Sequence, residues 1–198
     1  YSEKLRQEQF YFKEEEVKPY FSEEKVLQGA FDVANKLFDI TFTERNDLPK
    51  YRDNIRSFVV EDSDNKVIGI FYTDFTLRPN KGGGAWMSTF RSQSKFDGDV
   101  IPIVINVCNF PPENADGISL LSFEQVETLF HEFGHGLHGL LSNAQYPSLS
   151  GTSVTRDYVE FPSQMMENWA REPEVIKTFA KHYQTGEVIS DELLDKIS

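Results

Sequence analysis

The sequence holds one cysteine, Cys108, among 198 residues. No internal disulfide can form and nothing demands an oxidising compartment, so the expected location is cytoplasmic and the thiol is expected in the core. Long apolar runs are missing too. No stretch approaches the length of a membrane span, and the first residues lack the basic and apolar regions of a signal peptide. Basic clusters are equally scarce. Twenty Lys and Arg stand against 32 Asp and Glu, a formal charge of −12, whereas holding nucleic-acid phosphates needs Lys and Arg in numbers. Neither nucleic acid nor membrane is an expected partner. What is present suits a globular chain with a sizeable core, 39% of it hydrophobic.

The first forty residues carry apolar side chains at three- and four-residue spacings (Leu5, Phe10, Phe12, then Val26, Leu27, Ala30, Phe31, Ala34, Leu37, Phe38). Two helices divided near residues 19–22 are expected, with Ser22 as the second N-cap and Glu23 and Glu24 in its first turn. From Ile55 the period changes to two. Arg56 to Val60 and Val67 to Phe75 read as a hairpin turning at Asp62 to Asn65, and Ala85 to Phe90 and Ile101 to Val107 as two further strands. The expected organisation is helical over 1–50, a small sheet over 55–108 and helices over 122–198. The chain opens without Met and stops at Ser198 in a polar, helix-like segment, as a piece of a longer protein would.

Chemistry concentrates in the third region. Ser122 and Gln125 have capping-box spacing, and Val126, Leu129, Phe130, Phe133, Leu137 and Leu140 then recur on one helical face. His131, His135 and His138, three of the four histidines, fall near the opposite side. His131 and His135 lie one turn apart, so both imidazoles can reach one metal ion, while Glu132 is rotated about 100° from His131, close to the ion without ligating it. Gly134 and Gly136 each cost a helix up to about 1 kcal/mol and need a reason such as close backbone packing. A catalytic zinc needs a third protein ligand and an open position. Asp157, Glu160, Glu167, Glu172 and Glu174 are downstream candidates. Were residues 156–171 one helix, Asp157, Glu160 and Glu167 would share a face, but Pro162 would either kink that helix or mark its first turn. Spacing alone leaves Asp157, Glu160 and Glu167 open.

The segments FHEFGH (130–135), SGTSVTRDYVE (150–160), FPSQMMENW (161–169), GGAWM (83–87) and NVCNF (106–110) together resemble the thimet oligopeptidase family of zinc metallopeptidases, most of all its bacterial peptidyl-dipeptidase branch. The resemblance implies one Zn2+ per chain held by His131, His135 and Glu160, with Glu132 as the catalytic glutamate. Asp157 and Glu167 then become partners that could steady a ligand imidazole, and His138 a neighbour rather than a fourth ligand. Gly83, Gly84 and Ala85 would border the substrate on an edge strand. It further implies a mainly α fold with a small β-sheet, a zincin-like catalytic region of a larger helical enzyme built around a channel, acting on short unstructured peptides and releasing C-terminal dipeptides. Family members steady the oxyanion with a Tyr- and His-containing segment further downstream, which residues 1–198 do not include; alone, these residues are expected to bind zinc and hydrolyse peptides poorly. The rival readings are an internally cutting oligopeptidase of the same family and a non-catalytic zinc-binding module. Glu132 argues against the second, since a structural site does not need a glutamate beside an open coordination position.

Overall fold

The computed structural model describes residues 14–197. The earlier of the two expected helices falls mostly outside them. Helix α1 spans Glu23–Phe38 and buries Val26, Leu27, Ala30, Phe31, Val33 and Ala34. Ser22 occupies its N-cap position, but its hydroxyl makes no capping bond; Glu23 N donates to Ser119 O at 2.9 Å instead.

Five strands follow: β1 (Thr41–Glu44), β2 (Arg56–Glu61), β3 (Val67–Thr76), β4 (Trp86–Arg91) and β5 (Ile103–Phe110). Their order is β1-β2-β3-β5-β4, with β3 and β5 parallel and the other neighbours antiparallel. The β2–β3 hairpin has the expected turn. Asp62 Oδ1 accepts from Asp64 N and Lys66 N, both at 3.0 Å, and Asn65 takes φ 59°, which its short polar side chain tolerates. Strand β1 corrects the helical assignment of 1–50: after the left-handed Asp39 (φ 53°) closes α1, Thr-Phe-Thr pairs with β2. β-Branched and aromatic residues favour that pleated surface. The sheet is therefore larger than expected and mixed, giving an α/β arrangement.

The remaining helices are α2 (Phe123–Leu140), α3 (Phe161–Arg171), α4 (Pro173–Phe179) and α5 (Asp191–Asp195). Helix α2 has the capping box read from sequence, with Gln125 N to Ser122 Oγ at 3.2 Å and Ser122 N to Gln125 Oε1 at 2.9 Å. Its six apolar positions are all buried. Phe133 meets Phe31, Phe42 and Phe71 at centroid distances of 5.7, 5.5 and 5.7 Å, so rings from α1, β1 and β3 fix the roll of the helix. The sheet's other face carries a smaller apolar cluster of Ile55, Tyr72, Ile105 and Val107.

A buried ion-pair network pins the ends of β3 and β5. Asp74, 1% exposed, accepts from Arg78 Nη1 and Nη2 (2.6 and 2.8 Å), Tyr51 OH (2.6 Å) and Lys81 Nζ (3.0 Å). Lys81 also donates to Thr76 O (3.1 Å) and Cys108 O (2.5 Å). Burial alone would raise the Asp74 pKa, but Arg78, Tyr51 and Lys81 outweigh it and hold the carboxyl at about 2. A depressed folded-state pKa stabilises above the unfolded value near 3.9 and loses its effect as pH falls toward 2. Asp74→Asn is expected to cost about 3 kcal/mol at pH 7. Urea unfolding across pH should find the gap to wild type shrinking between about pH 4 and pH 2.

Candidate metal centre

Helices α2 and α3 meet through backbone. A Cβ on Gly134 would lie 2.6 Å from Pro162 O and from Ser163 Cα, distances no side chain tolerates, so glycine alone permits this approach. Further glycines bring the helix close to the sheet. At Gly136 a Cβ would lie 3.2 Å from Asn106 Oδ1, and at Gly139 2.7 Å from Met87 Cε, so α2 lies close against β5 and β4.

The approach of α3 carries the preceding turn to the histidines. Residues 156–160 form turns, and α3 begins at Phe161 with Pro162 in its first turn, where a missing N–H costs nothing. Glu160, at the N-cap position, then places Oε2 3.3 Å from His131 Nε2 and 3.1 Å from His135 Nε2. Among the described residues, His131, His135 and Glu160 form the one group of three whose donor atoms lie within 4.8 Å of one another. A tetrahedral ion with metal–nitrogen and metal–oxygen bonds near 2.1 Å spaces its ligands by about 3.4 Å. The observed separations fit that spacing. Three lone-pair donors facing one point also call for a cation between them.

Glu167 lies on the far side of His131, its Oε1 2.5 Å from Nδ1. A carboxylate only accepts, so the proton belongs on Nδ1 and the lone pair on Nε2, toward Glu160. The His135 side chain is only 12% exposed; burial lowers its pKa, the nearby His131 acting in the same sense and Glu160 against it, which favours the neutral form that can bind a metal. For Glu160, burial opposes ionisation, yet the Ser163 hydroxyl and the two imidazoles outweigh it and draw the pKa down. Ser163 Oγ lies 2.9 Å from both Oε2 and the main-chain O of Glu160. Sequence reading did not single out this serine, although a hydroxyl just after Pro162 in a helix's first turn was the available signal.

Glu132 is buried at 6% exposure, and its Oε2 has no hydrogen-bond partner among the described residues. Burial pushes its carboxyl up to about 7, with Glu160 adding to the rise and His131 opposing it. The other expected residues are less closely engaged. Asp157 is exposed and its carboxylate hydrogen-bonds to no described residue, so it is not brought to the imidazoles. Tyr158, exposed beside it, stacks on Phe161 at 5.6 Å and faces the His138 ring at 6.2 Å. His138 contributes no donor to the triad.

Gly83, Gly84 and Ala85 lead into β4, one of the two outer strands of the described sheet. Asn109 Nδ2 clamps this loop by donating to Gly82 O and Gly84 O, each at 2.8 Å. Gly84 has φ 83°, and a Cβ on Gly83 or Gly84 would meet nothing within 4 Å. The surroundings of the loop are open.

Compared with known proteins, residues 1–198 match Peptidase family M3 along their whole length. The chain belongs to Peptidase family M3. It is 45% identical over 198 residues to "Dipeptidyl carboxypeptidase" of Escherichia coli (strain K12), covering all of this chain and 29% of that relative. Oligopeptidase A of the same organism is 42% identical over 200 residues, again covering the whole chain and 29% of the relative. The mitochondrial intermediate peptidase of Vanderwaltozyma polyspora is 33% identical over 206 residues, or 91% of the chain and 26% of the relative. This M3 chain thus spans under a third of the length of those relatives. No described helix is long and apolar enough to cross a membrane.

Proposed function

We propose that this chain is the metal-binding part of a zinc peptidase that hydrolyses short, unstructured peptides and releases C-terminal dipeptides. The observation that carries this reading is the convergence of His131 Nε2, His135 Nε2 and Glu160 Oε2 beside the unshared Oε2 of Glu132. His131, His135 and Glu160 would hold one Zn2+. When bound, the ion supplies Lewis acidity, polarising the scissile carbonyl and making water more acidic.

The chain's own groups do the rest. Glu167 holds His131 in the tautomer that leaves Nε2 free, and Ser163 keeps Glu160 turned toward the imidazoles. Glu132 takes a proton from the attacking water and delivers it to the leaving amine as the C–N bond breaks. Gly83 and Gly84, with open space beside them, and Ala85, leading into β4 at the edge of the described sheet, suit an extended peptide backbone adding as one more strand. Asp157 is left as an exposed neighbour whose part, if it steadies a ligand, requires it to turn inward. A cytoplasmic location belongs to the same reading, in keeping with the buried free thiol of Cys108.

Internal cleavage, as in an oligopeptidase, is the second reading, favoured by the similar identity to Oligopeptidase A, 42% against 45%. Amidating the C-terminus of a test peptide separates the two. A dipeptide-releasing enzyme should lose most of its turnover on the amide, because the grip on a free carboxylate is gone; undiminished turnover would establish the internal cutter.

Glu132→Gln in the intact protein is expected to retain zinc and to lower kcat by at least about a thousandfold, since general acid–base catalysis alone contributes up to about 10⁴. Steady-state peptide hydrolysis with parallel zinc analysis checks this. Hydrolysis at the wild-type rate in a zinc-loaded variant would refute the assigned role.

A further inference from the structure

Alternation along β5 turns Val104, Asn106, Cys108 and Phe110 toward α2 and Ile103, Ile105 and Val107 toward the other face. On the α2 side Val104, Cys108 and Phe110 are core residues. Asn106 is the polar interruption, and it is 1% exposed.

Its amide is only half used within the described residues. Nδ2 donates to the main-chain O of Glu132 at 2.7 Å, while Oδ1 is buried without a partner. Next to it, Gly136 is glycine where a Cβ would crowd Asn106 Oδ1 at 3.2 Å and the Phe71 ring at 3.3 Å. Two local costs therefore meet at one place: a glycine inside a helix and a buried, half-satisfied amide. An apolar residue on β5 would leave no buried polar atom unpartnered at this place. Unfavourable local choices that persist side by side mark positions where function, not stability, sets the residue.

We propose that Asn106 is a positioning residue for Glu132. Its Nδ2–H ties the glutamate's own carbonyl to β5, the strand that pairs with edge strand β4 and whose Asn109 clamps the Gly82–Gly84 loop. One strand thereby sets the catalytic carboxylate relative to the edge that takes the peptide. The rings around Phe133 set the roll of α2, whereas apolar contacts leave it free to slide along the sheet; the directional hydrogen bond at Glu132 fixes that position. Asn106 touches neither peptide nor metal ligand in this role.

This rests on the peptidase reading above. The test compares Asn106→Leu, which keeps shape without a donor, and Asn106→Ser, too short to reach, in the intact zinc-loaded protein. The expected result is unchanged zinc content, KM within about twofold and kcat lowered about 10- to 100-fold, with Asn106→Leu at least as resistant to urea as wild type. Amide hydrogen exchange of residues 132–140 in Asn106→Ser should be about tenfold faster, a readout independent of catalysis. Wild-type kcat in either folded variant overturns the proposal, as does loss of zinc from a folded variant, which would move the effect to the ligands. Failure of both variants to fold overturns it too, making Asn106 a folding residue. Should the wild type hold zinc yet cleave no peptide, the peptidase reading fails, and the exchange rates alone decide for or against Asn106.

Discussion

The backbone contact between Gly134 and the 162–163 segment is the constraint on which the site depends. Helices bearing ordinary side chains pack with axes 8–10 Å apart; with a bare Cα at 134, α3 starts against α2 itself. Glu160, one residue before α3, reaches both imidazoles only because α3 begins there. Pro162 and Ser163 serve the same junction, the first by favouring a helix start and the second by bonding Glu160. The glycine lies between Phe133 and His135, so one short segment of α2 supplies core anchor, contact point and a candidate metal donor.

From this junction the electrostatics follow. Burial around α2 removes water from Glu132 and His135, raising the carboxyl to about 7 and favouring the neutral imidazole. Glu160 stays half-exposed, and the groups around it favour its charge. The site thus combines a negative oxygen, two neutral nitrogens and a buried carboxyl with a free oxygen. Such a set suits one divalent cation with a proton acceptor alongside. The Asp74 network stands apart from it and steadies the loop that leads into β4.

Helix α2 was legible in the sequence because period, capping box and histidine spacing agree within one element, and local signals are what a sequence displays most plainly. The hairpin was legible for the same reason. Glu160 was not to be had from spacing. Helical periodicity grouped Asp157, Glu160 and Glu167 on one face, whereas the chain is turned, not helical, before Phe161; the three carboxylates diverge, one toward solvent, one to the imidazoles and one to the back of His131. Strand β1 was hidden because its partner β2 begins a dozen residues later, beyond an irregular loop. Asn106 and Ser163 act across 26 and three residues, and neither belongs to a local pattern that names its target. The parallel pairing of β3 with β5 is likewise a long-range fact, set by which faces bury against α2.

The central claim is that His131, His135 and Glu160 hold a single zinc ion. The most direct measurement is elemental analysis of zinc per chain, for wild type and for Glu160→Ala, after dialysis against a weak chelator. The account predicts about one zinc per wild-type chain and a marked loss in the variant. Full zinc in the variant, or none in a folded wild-type protein, would contradict it.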